Sequence, residues 1–186
     1  MKIILLCAAV LALAGCESVP PEAMQPMPQI YQQLPVNTEL MGSVELGDVR
    51  VDKDISEYGL DSSFRIDVKD YRLALQTALT SSKMAVPASG KQKYILDANL
   101  QTLNYPFAFF STTVESVAHY QLRRADDNWI VMSETLKLSY KAEFSESFDA
   151  TNRLRIALSN AIRENITQMI RVLSNKTEAE LLAKGV

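Results

Sequence analysis

The stretch TTVESVAHYQLRRADDNWIVMSETLKLSYKAEF, residues 112–144, decides the fold, because it contains two runs of alternating apolar and polar residues separated by a turn. This alternation predicts two strands with one buried and one polar face, as is common in antiparallel sheets. The tetrapeptide ADDN, residues 125–128, is typical of a hairpin turn. The predicted buried positions are Val114, Ala118, Tyr120 and Leu122 in the first strand, and Ile130, Met132, Leu136, Leu138, Tyr140, Ala142 and Phe144 in the second.

Two further strands are predicted upstream of this hairpin. Residues 93–101 alternate in the same way, with Tyr94, Leu96, Ala98 and Leu100 on one face. Residues 43–51 place apolar side chains at every second position, but the alternation shifts by one residue at Gly47. This shift predicts a strand with a β-bulge at Gly47. Residues 52–65 show no sustained period and are predicted to be a loop.

Two amphipathic helices are predicted around these strands. Asp67 is a suitable N-cap for a helix that ends near residues 81–82, and Asp149 for a long final helix. Apolar residues recur at three- and four-residue steps in both. The first helix should bury Val68, Tyr71, Leu75, Ala78 and Leu79, and the second Leu154, Leu158, Ala161, Ile162, Ile166, Met169, Ile170 and Leu173. The polar face of the second should expose Arg153, Arg155, Arg163, Glu164 and Arg171.

The element order is therefore β-α-β-β-β-α, over residues 43–175. Two amphipathic helices and a sheet with one apolar face bury each other most simply as two layers. We expect an α+β two-layer sandwich, in which a four-stranded, mainly antiparallel sheet carries both helices on one face. Residues 176–186 form a C-terminal tail that could include a short helix.

The N-terminus carries a targeting signal. Residues 2–16, KIILLCAAVLALAGC, place Lys2 before an apolar run and small residues before Cys16. Such a run is typical of a secretory signal peptide, here residues 1–15, and is too short for a membrane span. The segment LAGC, residues 13–16, resembles the bacterial lipobox, and the resemblance implies lipidation of Cys16. The alternative is an ordinary signal peptide cut nearby, with Cys16 incidental.

Residues 16–42 are predicted to be a tether between the lipidated cysteine and the domain. Five of the seven prolines lie there, and proline favours extended, unpaired chain. In lipoproteins of this kind, the residues after the cysteine direct sorting between membranes. The resemblance implies the periplasmic face of the outer membrane, because glutamate and serine follow Cys16 instead of aspartate; the inner membrane is the alternative.

Composition and motifs offer little support for catalysis. If Cys7 leaves with the signal peptide and Cys16 carries lipid, no cysteine remains for a disulfide, a nucleophile or a metal ligand. We expect no metal site and no cofactor, since there is one histidine and no phosphate-binding or EF-hand spacing. The net charge of −3 does not indicate nucleic-acid binding. His119 is predicted to lie on the polar face of its strand, and a hydrolase built on it is a minor alternative.

The connection LNYPFAFFS, residues 103–111, contains an unusual cluster of aromatic residues around a proline. Connections lie on the surface, where clustered large apolar groups indicate a contact site for protein or lipid. We therefore consider a partner or lipid contact at Tyr105, Phe107, Phe109 and Phe110. Two alternatives remain open: the rings could cap the open end of the core, or both strands could extend through the segment.

The element order, the proline-rich leader behind Cys16, and the ending FDATNRLRIALSNAIRENITQMIRVL, residues 148–173, resemble small periplasm-facing bacterial lipoproteins of the YajG-like and LptE-like kind. The resemblance implies a two-layer α/β domain without catalytic apparatus, held at the membrane through the lipid on Cys16. We expect a non-enzymatic binding or assembly-support module with an envelope protein as partner. The alternative is a carrier of a lipid or another apolar ligand.

Overall fold

The computed structural model describes residues 37–52, 66–105 and 111–182. These form strands β1 (Val44–Val51), β2 (Tyr94–Asn104), β3 (Ser111–Arg124) and β4 (Ile130–Glu143), and helices α1 (Val68–Ser81), α2 (Ala150–Ser174) and α3 (Glu178–Leu182). The sheet order is β1-β2-β3-β4; β1 is parallel to β2, and the other pairs are antiparallel. The predicted α+β class and the mainly antiparallel sheet are confirmed.

Both long helices pack on the apolar face of the sheet, because the alternation of each strand and the helical stripes place their apolar side chains between the two layers. Leu96 on β2, Leu122 on β3, Leu75 on α1 and Ile166 on α2 are all fully buried. Helix α1 connects the parallel strands β1 and β2, as parallel pairing requires, and α2 lies over β3 and β4. The opposite surface of the sheet, called the outer face below, carries polar side chains such as Asp97, His119 and Lys137.

The helix caps agree with the prediction, and one buried position does not. Asp67 accepts a hydrogen bond from the backbone N–H of Lys69 at 2.8 Å, and Asp149 accepts one from Thr151 at 2.8 Å. Val68 was expected in the core, but it is 39% exposed. It belongs to the first turn of α1, before the helix meets the sheet.

Three bulges shift the strand registers, and the sequence pattern showed one of them. The predicted shift at Gly47 is confirmed, since pairing with β2 is interrupted between Leu46 and Val49. Between β2 and β3, the pairing moves from Leu100 with Ala118 to Thr102 with Val117. Before this bulge the even-numbered residues of β2 face the helices, and after it the odd-numbered residues, such as Leu103, do so.

Two expected core positions of the second hairpin strand are wrong, one because of the third bulge and one because β4 ends before it. Leu122 pairs with Met132, but Arg123 pairs with Ile130, so Val131 is the extra residue. Ile130 consequently shares the outer face with Arg123 and is 48% exposed. Phe144 lies just past the end of β4 and is 44% exposed.

Gly47 is required by close packing across the β1 bulge. A Cβ at this position would overlap Asp97 Oδ1 and lie 2.5 Å from Ile95 Cγ2. Asp97 also accepts a hydrogen bond from the Asp48 N–H at 2.7 Å and pairs with Arg123 Nε at 2.9 Å. We expect Gly47→Ala to lower the free energy of unfolding by about 1–3 kcal/mol in urea titrations. The cost should be smaller in an Asp97→Ala background; equal costs in both backgrounds would refute this explanation.

The packed domain extends beyond residues 43–175 at both ends. The Asn37 side chain donates hydrogen bonds to the carbonyls of Leu173, at 3.1 Å, and Lys176, at 2.6 Å. Leu40, in the part assigned to the tether, is fully buried, and Leu181 on α3 is 1% exposed. These residues close the core at the C-terminal end of α2.

Several predicted features lie outside the described residues. They are the signal peptide 1–15, Cys16, the tether up to residue 36, the predicted loop from residue 53 to 65, the aromatic residues Phe107, Phe109 and Phe110, and the tail from residue 183. Among the helices that are described, none is both long enough and apolar enough to cross a bilayer.

Candidate contact site at the aromatic end of the sheet

Tyr105 is the one predicted contact residue within the described part of the chain, and it is half-buried. The bulge after Leu100 turns Leu103 and Tyr105 towards the helices, so the tyrosine packs against a small core cluster that includes Val114 and Leu158. This cluster lies where β2 ends, β3 begins and β4 ends. We call this end of the sheet, with Tyr105, Phe144 and Phe148, the aromatic end.

Phe148, in the connection between β4 and α2, is the most exposed large apolar side chain of the described residues, at 81%. Its ring packs edge-on against Phe144, with the centroids 5.0 Å apart. The guanidinium of Arg153 lies 5.1 Å from the centroid of the Phe144 ring, a favourable cation–π arrangement. The two rings are therefore held in place although both remain accessible.

Arg153 was expected on the solvated face of the final helix, but it is only 2% exposed. Its Nη1 donates to the carbonyl of Ser147 at 2.7 Å and to that of Phe148 at 3.0 Å. These bonds satisfy backbone acceptors in the connection leading into α2. The other helix arginines predicted to be solvated, Arg155, Arg163 and Arg171, are half-buried.

Glu146 fixes the same connection from its other side. Its carboxylate accepts hydrogen bonds from the Tyr140 hydroxyl at 3.0 Å and from the backbone N–H of Glu143 at 2.8 Å. Partial burial, together with the hydrogen bond to Glu146, raises the pKa of Tyr140, so its hydroxyl remains a donor at neutral pH. The aromatic end is thus built on an ordered turn.

The first described residues, from Asn37, lie at the opposite end of the sheet. Asn37 contacts the C-terminal end of α2, whereas Phe148 lies just before the N-terminal end of that helix. Strands β3 and β4, of 14 residues each, run between the two ends. The two ends are therefore separated by roughly 40 Å, at about 3.3 Å per residue.

His119 lies on the outer face, as predicted, between two hydroxyl groups. Its Nδ1 is 3.0 Å from Thr135 Oγ1, and its Nε2 is 3.4 Å from Ser133 Oγ. Glu115, on the same strand, pairs instead with Lys137 at 2.9 Å. No carboxylate of the described residues hydrogen-bonds the imidazole, so the acid that usually orients a catalytic histidine is not found there.

Two surface depressions are formed mainly by polar and charged residues, whose side-chain stems also contribute apolar surface. One, of about 290 Å³, lies on the outer face between Asp48, Arg50, Asp97, Asn99 and His119. The other, of about 540 Å³, lies near the start of β2 and the end of β3, and its lining includes Lys93, Tyr94, Arg124 and Leu182. In the described ranges, no three histidine, cysteine or acidic side chains are placed to hold a metal ion.

The sequence missed Phe148 and Arg153 for different reasons. Phe148 stands alone between polar residues in a short connection, so no pattern distinguished it. Arg153 falls on the polar side of the helical pattern, and its acceptors are backbone carbonyls that no side-chain pattern can show. One signal was available: Phe144, Phe148 and Arg153 lie at four- and five-residue spacing around the cap Asp149.

Comparisons with known proteins identify the fold. No family model matches the chain, and no curated protein matches it. Protein XCC0632 from Xanthomonas campestris, of the DUF330 family, is 12% identical with a TM-score of 0.57, over 76% of this chain and 91% of that protein. Hypothetical protein CT253 from Chlamydia trachomatis is 8% identical with a TM-score of 0.51, over 77% of this chain and 99% of that protein.

A weaker likeness is to a minor lipoprotein from Acinetobacter baumannii, which is 14% identical with a TM-score of 0.45, over 71% of this chain and 88% of that protein. At identities this low, the two stronger likenesses concern the fold alone. The chain therefore has the two-layer fold of small bacterial proteins such as XCC0632 and CT253.

Proposed function

We propose that the chain is a lipid-anchored, non-enzymatic binding module of the bacterial envelope. In this proposal, Cys16 carries the lipid at the periplasmic face of the outer membrane, and the aromatic end contacts another envelope protein. Phe107, Phe109 and Phe110 would add to the same contact, since their segment joins Tyr105 to the start of β3. The observation that carries the proposal is the ordered but 81% exposed ring of Phe148.

An exposed aromatic side chain held in one position is well suited to binding. Arg153 and Phe144 fix the place of Phe148 before any partner arrives, which lowers the entropy lost on association. Burying such a ring contributes about 1.5–3 kcal/mol. Aromatic residues are also enriched at the centre of protein interfaces.

The position of the tether supports a contact directed away from the membrane. The tether enters at the end opposite Phe148, and residues 17–36 could span roughly 60 Å at about 3 Å per residue. Glu143, Glu146 and Asp149 flank the exposed rings. Acidic groups beside the rings disfavour an anionic bilayer and favour a protein with apolar and basic side chains.

The test is photocrosslinking in cells, with a photoreactive residue in place of Phe148 in the full chain. We expect an adduct with one envelope protein, and no such adduct from the same residue at Leu73, which is 52% exposed on α1. Phe148→Ser should then weaken binding of the purified partner about tenfold or more, because the buried ring is lost. Its free energy of unfolding should change by less than about 1 kcal/mol.

Two results would overturn the proposal. Equal labelling of the same proteins from positions 148 and 73 would show that the aromatic end is not a specific surface. Adducts with lipid alone would favour membrane contact.

A further inference from the structure

The depression of about 540 Å³ has more positive than negative side chains in its lining, and we call it the lysine depression. Lys91, Lys93 and Arg124 line it, against one acid, Asp126. Arg124 Nε already donates to Asp127 at 3.0 Å and lies 3.7 Å from Asp126. Lys91 and Lys93 are exposed and belong to no ion pair of the described residues. Two lysine charges in one depression favour an anionic group as ligand.

Apolar side chains are exposed beside the lysine depression. Leu182, which belongs to the lining, is 56% exposed, and Trp129, across the β3–β4 turn from Arg124, is 37% exposed. Met41, in the loop before β1, is 48% exposed at the same end, since β1 and β2 are parallel and both begin here. A bilayer surface offers the matching groups, because phosphates lie above the acyl chains and tryptophan is enriched at that level.

Acidic groups also lie near the lysine depression. Burial, together with the nearby carboxylates of Glu39 and Glu178, raises the pKa of Tyr94. The two glutamates are outside the lining itself, and they balance part of the positive charge of this end. Recognition of an anion therefore depends on the two lysines inside the depression instead of on a broad positive field.

The start of the described chain lies at this same end of the sheet. Asn37 contacts the C-terminal end of α2, and residues 17–36 separate it from Cys16 in the sequence. If Cys16 carries the proposed lipid, the anchor keeps the domain at a high local concentration beside lipid headgroups. A contact too weak to hold a free protein on the bilayer would then be well populated.

We propose that the lysine depression binds the phosphate group of an anionic phospholipid, with Lys91 and Lys93 as donors and with Leu182 and Trp129 at the level of the headgroups. Ammonium groups bind phosphate oxygens through charge-assisted hydrogen bonds. The aromatic end of the sheet would then point away from the bilayer, accessible to a partner. Only the anchor on Cys16 is shared with the proposed function.

Trp129 is the only tryptophan in the sequence, so its fluorescence reports this contact. On vesicles of phosphatidylcholine and phosphatidylglycerol that contain brominated lipids, we expect the emission of the full chain to be quenched. Vesicles of phosphatidylcholine alone should quench it less. In the double variant Trp129→Phe, Phe148→Trp, the single tryptophan lies at the aromatic end and should not be quenched.

Paired lysine variants test the charge. Lys91→Gln with Lys93→Gln should lower the ratio of docked to undocked domain about tenfold or more, because both charges next to the anionic surface are lost. Lys137→Gln with Lys141→Gln removes the same charge from the outer face and should leave the ratio unchanged. Inorganic phosphate should displace the domain no more than chloride does at equal ionic strength.

Three results would overturn the proposal. They are equal quenching of tryptophan at positions 129 and 148, equal effects of the two pairs of lysine variants, and displacement by inorganic phosphate, which would assign the depression to the free ion. The mass of the Cys16 peptide, measured on the same preparation, tests the anchor separately. An excess of vesicles reports the contact at Trp129 with or without lipid on Cys16.

Discussion

Asn165→Ala is expected to lower the free energy of unfolding by about 3–5 kcal/mol, because several buried polar groups lose their partners at once. The Asn165 side chain, on α2, is 1% exposed. Its amide donates to the carbonyls of Ser116, at 3.2 Å, and Leu136, at 3.0 Å, and its oxygen accepts from Tyr120 Oη at 3.0 Å. Since Tyr120 donates to Asn165, its oxygen accepts from Tyr71 Oη at 3.0 Å. One amide therefore links α2 to β3 and β4 and, through the two tyrosines, to α1.

Urea unfolding followed by circular dichroism measures this loss. Burial raises the pKa of Tyr71 far above its ordinary value, so its hydroxyl remains a hydrogen-bond donor throughout the neutral range. Asn152→Ala, at a half-buried position of the same helix, is the matched control and should cost less than about 1 kcal/mol. In a double-mutant cycle with Tyr120→Phe, the two costs should be strongly non-additive. Additive costs would show that the amide does not act through Tyr120.

Arg153→Met should lower the free energy of unfolding by about 2–4 kcal/mol, since it leaves two acceptors of the connection without their donor. Methionine keeps much of the length of the arginine stem but cannot bond the carbonyls of Ser147 and Phe148. The variant should also release the Phe144–Phe148 ring pair, which NMR detects as a loss of the ring-current shifts of these residues.

Two further variants separate charge from geometry at this position. Arg153→Lys should recover only part of the loss, because an ammonium group lacks the planar donors of a guanidinium. Arg171→Met, at a half-buried position in the last turn of the same helix, should cost less than about 1 kcal/mol. Full recovery by lysine would mean that charge alone accounts for the role of Arg153.

The strands and long helices could be predicted because their signals are local. The alternation of residues 93–101 and 112–124, and the caps at Asp67 and Asp149, depend on neighbouring residues of one segment. The bulges after Leu100 and at Val131 could not be predicted, because the register depends on which residue of the adjacent strand lies opposite. In the sequence, Ile130 continues the even-numbered apolar positions of its strand. In the structure, the bulge at Val131 places it on the outer face instead.

The polar core residues were missed because the sequence pattern treats polarity as a sign of exposure. Ser116 and Asn165 occupy buried positions in otherwise apolar stripes and satisfy each other and nearby carbonyls. The candidate site was predictable only in part. Tyr105 was identified by its aromatic neighbours in sequence, whereas Phe144 and Phe148 join it only when β4 returns to the same end of the sheet.

The parallel pairing of β1 with β2 has a mechanical consequence for an anchored protein. If Cys16 carries the proposed lipid, a pull on that anchor would reach the described domain at Asn37 and then at the start of β1. There the Ser43 carbonyl accepts hydrogen bonds from the N–H groups of Lys93 and Tyr94. A partner held at the aromatic end would pull β2 in the other direction. The ladder between the two strands is then loaded in shear, so its hydrogen bonds share the force instead of opening one after another.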